Sequence, residues 1–113
     1  MTNPTQWKAL SESIVLRHQA YINGAFQPAV SGETFPCINP ATEKLLVDVA
    51  SCDEADVNLA VDSALQAYRS GVWSELAPKQ RKQTLLKLAD LLEKHKDEFA
   101  VLDTLDMGKS ISE

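Results

Sequence analysis

Glycine is scarce in this chain: there are four, Gly24, Gly32, Gly71 and Gly108, in 113 residues. No two stand close enough to write G-x-G-x-x-G or a Walker loop, so the sequence offers no glycine cradle for a dinucleotide or a nucleoside triphosphate. The only Gly-Lys pair, Gly108-Lys109, lacks the upstream glycine. Histidine is scarcer still. His18 and His95 give no basis for a metal-binding or nucleophilic triad. The two cysteines, Cys37 and Cys52, form neither C-x-x-C nor a paired Cys/His spacing that reads as zinc. They read as reduced thiols of a cytosolic protein. No apolar run approaches the 18 or more residues (approximately) of a membrane span. The opening stretch carries Glu12, Arg17 and His18 and has no apolar signal core, which predicts no export signal and a cytoplasmic address. Net charge is −5, with acids and bases interspersed. Nucleic acid requires a concentrated basic face, so neither nucleic acid nor membrane is an expected partner.

What the chain does have is leucine. Apolar content of 44% is ordinary for one globular domain, and its densest run lies between Pro78 and Asp106. As one straight helix that run would be about 43 Å long. A compact body of this chain length is only about 34 Å across. The helix would overhang its own domain, so we expect both that it breaks and that the chain belongs to something larger.

Taken in order, residues 1–20 read as a polar arm with a short amphipathic helix on Trp7, Leu10 and Ile14. Tyr21-Ile22-Asn23-Gly24-Ala25-Phe26 predicts a hairpin, because both central residues of a type I′ turn need positive φ. Thr34 to Ile38 reads as a strand at a sheet edge, since Pro36 removes one donor. After the turn Asn39-Pro40-Ala41-Thr42, Lys44 to Ala50 reads as another strand with Leu45, Val47 and Val49 on one face. Ser51 and Glu54 fit a capping box. The helix that follows carries Val57, Ala60, Val61, Ala64 and Tyr68 on one stripe and stops at Gly71. Pro78 opens the leucine helix, with Leu85, Leu88, Ala89 and Leu92 as the buried stripe. A break around His95 to Asp97, with Asp97 as the new cap, takes His95 out of the core. The last helix then buries Phe99, Leu102 and Leu105 and ends near Gly108.

Few residues could carry chemistry. Cys52 is placed in the first turn of a helix, where the dipole lowers a thiol pKa, yet no His or Lys beside it completes a catalytic arrangement. Asp106 is more unusual. It shares a face with Phe99 and Leu102 and lies in the last helical turn, where a carboxylate is disfavoured by the dipole and by apolar surroundings. Either it is solvated at a frayed end, or it needs a cation, such as Lys109 or a bound metal ion.

The ordered set of motifs resembles the N-terminal part of the NAD(P)-dependent aldehyde dehydrogenase superfamily. The matching residues are YINGAF (21–26), SGETF (31–35), NPAT (39–42), DVNLAVDSALQAY (56–68), Gly71-x-Trp73, Arg81, LLKLADLLE (85–93) and LDTLDMGKS (102–110). Two departures stand in the last motif: Asp103 where the family usually has Glu, and Ser110 where it has Pro. Trp7, Ala9 and Arg17 ahead of YINGAF are similar to the branch that handles aminoaldehydes, including gamma-glutamyl-aminobutyraldehyde.

The resemblance implies an α/β fold, with residues 21–113 as the first, incomplete portion of a Rossmann-like cofactor-binding domain. In such a segment short strands precede two or three helices. It implies a full-length enzyme that oxidises an aldehyde to a carboxylic acid with NAD or NADP, whose cysteine nucleophile, general base and cofactor loop all lie downstream of these residues. Expected partners are the remainder of that chain, or its subunits, and a small aldehyde. No catalytic or cofactor-binding residue is then expected here. One family site does map: a structural monovalent cation held by the carbonyl of Ile38 and the carboxylate of Asp106. The competing expectation is a self-standing helical module whose leucine face docks a protein partner.

Overall fold

The computed structural model describes residues 3–111. Helix α1 (Pro4–Ser13) is followed by four short strands, β1 (Ala20–Ile22), β2 (Ala25–Gln27), β3 (Thr34–Ile38) and β4 (Leu45–Ala50). Three helices complete the order: α2 (Glu54–Arg69), α3 (Pro78–Lys94) and α4 (Lys96–Met107). The strands make two antiparallel pairs, β1 with β2 and β3 with β4.

The hairpin forms where Asn-Gly predicts it. Asn23 and Gly24 have φ of 52° and 77°, the double positive of a type I′ turn. Tyr21 faces Phe26 across the pair with ring centroids 4.9 Å apart, and the Arg17 guanidinium lies 4.8 Å above the Phe26 ring. In the second pair Pro36 sits opposite Asp48, and the register slips between Cys37 and Ile38. That slip moves Leu46 into the half-buried row with Val47 and Val49 and leaves Leu45 exposed, a correction to strict alternation. A β-bulge has this effect on every residue beyond it.

Two caps differ from expectation. Helix α2 is opened by Asp53 and Asp56, with Ser51 and Glu54 playing no such part. Asp53 accepts from the Ala55 N–H at 2.8 Å, and Asp56 Oδ2 accepts from the Asp53 N–H at 2.9 Å. The other Asp56 oxygen accepts from the Val30 N–H at 2.9 Å, tying the 28–32 loop to the helix. Asp56 is 2% exposed, the most buried side chain of any size. At the second break His95 alone is the hinge. Its N–H donates to Leu91 to close α3, and its carbonyl accepts from Phe99 to open α4. Asp97 therefore lies inside the first turn of α4, where the helix dipole favours it, and is not the cap. His95 is half-buried, and its Nδ1 pairs with Glu98 Oε1 at 3.0 Å.

The Asp53 and Val30 backbone N–H groups hold the Asp56 carboxyl below the usual carboxylate range. A depressed folded pKa gives stability that is present above the unfolded value of about 4 and lost as pH falls through the folded value. In the intact protein Asp56→Ala is expected to lower the melting temperature by several degrees at pH 7. The gap to wild type should narrow below about pH 4, where the unfolded carboxyl takes up its proton. Thermal scans of both proteins from pH 7 to pH 3 check this; a gap that widens on acidification would refute it.

Little of this chain is buried. Ala29 and Val101 are the only apolar side chains sealed from solvent among the described residues. Helix α1 rests on α4 and covers Val101 from one side, which is why Val101, not Phe99, is the buried residue of α4. Phe99 stays 49% exposed, while Leu102 and Leu105 are half-buried. On α3, Leu85 and Leu88 remain 56% and 52% exposed. Val57, Val61 and Tyr68 of α2 are open too. The radius of gyration is 17.7 Å, against about 13 Å for a compact chain of this length.

Candidate functional site

The best-defined junction lies where β3 runs into its turn and α4 ends. The β3–β4 pair lays Cys37, Leu46, Val47 and Val49 against Leu102, Leu105 and Asp106 of α4 around a cleft of about 540 Å³. Cys37 donates its thiol hydrogen to Asp106 Oδ1 at 3.0 Å, joining residues far apart in sequence. The turn after β3 is stiffened by Asn39, whose side-chain oxygen accepts from the Ala41 N–H at 2.9 Å. Gly108 ends α4 at φ 74°, and a Cβ there would lie 3.1 Å from Pro40 Cγ. Only glycine lets the helix end come this close to the turn. Residues 37–40 and 106–108 are thereby held together.

Of the two expected cation ligands, Ile38 is the last residue of β3, just past the register slip, and Asp106 is in the last turn of α4. Asp106 stands at the negative end of the helix, and no basic residue occupies that turn. Among the described residues no Lys or Arg, Lys109 included, reaches ion-pairing distance of it. Its partner is a neutral thiol. This donor set fits a weakly charged, oxygen-seeking cation: one unpaired carboxylate beside a strand end and a turn that carry backbone carbonyls. It does not fit a transition metal. Among the described residues no group of three or more His, Cys, Asp and Glu could hold a metal ion.

Neither cysteine is set up as a nucleophile. The hydrogen bond to Asp106, partial burial and the charge of Asp106 together push the Cys37 thiol up. Cys52 precedes the cap of α2 and lies outside its first turn, which corrects the expectation of a mildly activated thiol. Desolvation, then the Asp56 and Asp53 carboxylates, raise it. Two residues stood out only in three dimensions: Cys37 as partner of Asp106, and Asp56 as the tether of Val30. Asp56 carried a sequence signal, a carboxylate three residues after a possible cap. Cys37 carried none beyond its place beside Ile38.

The profile of the aldehyde dehydrogenase family matches residues 26–113. Aminoacetaldehyde dehydrogenase of Pseudomonas aeruginosa is 45% identical over 108 residues, which are 96% of this chain and 22% of that protein. The solved indole-3-acetaldehyde dehydrogenase of P. syringae, in complex with NAD+, superposes with a TM-score of 0.94 at 46% identity, over 99% of this chain and 23% of that one. Gamma-glutamyl-gamma-aminobutyraldehyde dehydrogenase from Burkholderia cenocepacia gives 0.90 at 43% identity, over 95% and 22%.

The chain belongs to the aldehyde dehydrogenase family. It is an N-terminal segment of an NAD(P)-dependent member, with the α/β hairpin-and-helix arrangement of that part of the fold. It spans about a fifth of the length of the curated relatives it matches. Among the described residues no helix is long and apolar enough to cross a membrane.

Proposed function

We propose that this segment is the scaffold portion of an enzyme that oxidises an aldehyde to its carboxylic acid with NAD or NADP, and that it supplies structure without reacting groups. The observation that carries this reading is the open leucine face of α3, with Leu85, Leu88 and Leu92 uncovered in a chain that buries almost nothing. Such a face makes sense only against a further body. Residues 1–20 then serve as an arm, and residues 21–113 begin the cofactor-binding domain. The nicotinamide group, when bound, accepts the hydride; thiolate attack and water activation are assigned to residues beyond this segment. The substrate class we favour is the aminoaldehydes, supported by the likeness to enzymes named for aminoacetaldehyde and gamma-glutamyl-aminobutyraldehyde. Purified full-length enzyme assayed against amino-, indole- and phenyl-substituted acetaldehydes tests it; preference for the last two would overturn the aminoaldehyde assignment.

Within the scaffold, the Ile38 carbonyl and the Asp106 carboxylate are proposed to hold a structural monovalent cation. The cation ties the end of β3 to the end of α4 and offsets the charge that Asp106 places on a negative helix terminus. A ligand bound only by the folded state stabilises it by mass action. In the full-length enzyme Asp106→Ala is expected to lower the melting temperature and to abolish its dependence on potassium or sodium. If the dependence survives unchanged, the site lies elsewhere.

A further inference from the structure

We propose that Cys37 is a positioning residue for this cation: its thiol holds Asp106 Oδ1 and so presents the other carboxylate oxygen to the ion. The inference rests on the cation site just proposed and adds a residue to it. Three observations lead to it. The Cys37 Sγ to Asp106 Oδ1 contact, at 3.0 Å, is the one side-chain hydrogen bond that crosses from the β3–β4 pair to α4 among the described residues whose bonds are itemised by partner. Asp106 has no basic side chain within ion-pairing distance in that set, so nothing else with a charge fixes its rotamer. Cys37 immediately precedes Ile38, so whatever orients the strand end toward the carbonyl ligand also orients the thiol.

A carboxylate at a helix end turns freely about its side-chain torsions, and fixing it on binding costs entropy. A donor already seated on one oxygen removes that cost before the cation arrives, which is preorganisation. The thiol is a neutral donor, so it orients the carboxylate without cancelling the charge that attracts the ion. A lysine in its place would do the opposite and would take the cation's role itself.

The test uses the full-length enzyme stripped of monovalent cations, titrated with potassium chloride and read by melting temperature, with a tetramethylammonium series to hold ionic strength. Cys37→Ala is expected to raise the half-saturating potassium concentration roughly fivefold, the worth of one modest hydrogen bond. Cys37→Ser, which keeps a donor, should recover most of that shift. A purely structural role would lower the melting temperature equally at every potassium concentration and leave the half-saturation point where it was; that result overturns the proposal, and so does tighter potassium binding in Cys37→Ala. The Asp106→Ala protein separates the two levels. If it loses potassium dependence while Cys37→Ala keeps the wild-type half-saturation point, the cation site stands and the part assigned to Cys37 falls.

Discussion

Replacing Leu88 and Leu92 together by aspartate is expected to act in opposite directions in two settings. In the full-length enzyme the double variant should fail to accumulate as soluble, folded protein. Truncating a buried leucine costs about 2–5 kcal/mol, and a carboxylate buried without a partner costs several more. Together these exceed the roughly 5–15 kcal/mol that holds a typical domain folded. In the 113-residue chain alone the same change falls on side chains that are already 52% and 47% exposed. There it should raise solubility and reduce self-association. Soluble yield and size-exclusion profiles of the two pairs decide the matter. An equal loss in both settings would mean that the chain shelters its own leucines.

The second large effect is the behaviour of the 113-residue chain by itself. It is expected to bind a hydrophobic dye, to elute at sizes that grow with concentration and to melt without a sharp transition. Two hairpins and a loose set of helices bury too little apolar area to offset the conformational entropy of ordering them. A two-stranded hairpin is marginal on its own. The chain should reduce neither NAD nor NADP with any aldehyde, because neither of its thiols is activated. The rival reading, a self-standing helical module, requires a monomer with a cooperative melt. Observing that monomer, or turnover in a contaminant-free sample, would defeat our assignment.

Local chemistry was legible wherever one residue type dictates geometry. Asn23-Gly24 named its own turn, Pro36 its edge position and Gly108 the end of α4, because positive φ or a missing donor leaves few alternatives. The break at His95 was legible from length alone. The caps were harder. Ser51 and Asp53 both offer an oxygen to a helix start, and the choice fell to Asp53 because Asp56, three residues on, also reaches the Val30 N–H. No sequence pattern announces that loop contact. The phase of α4 was misjudged for a similar reason: α1 covers Val101 from a side that periodicity within α4 cannot reveal. As for the site, Asp106 stood out through its clash with the helix dipole. Its thiol partner depends on a strand and a helix meeting across 69 residues of sequence, which spacing does not encode.

The bare leucines of α3 also set a timetable. A chain made from its amino end emerges at about 5–20 residues per second, so the segment leaves the ribosome long before a body of full family length could exist. For some tens of seconds, at that rate, Leu85, Leu88 and Leu92 face the cytosol or whatever binds greasy nascent chains. Synthesis of this enzyme thus carries a built-in interval of vulnerability, and chaperone traffic during translation should concentrate on its first quarter.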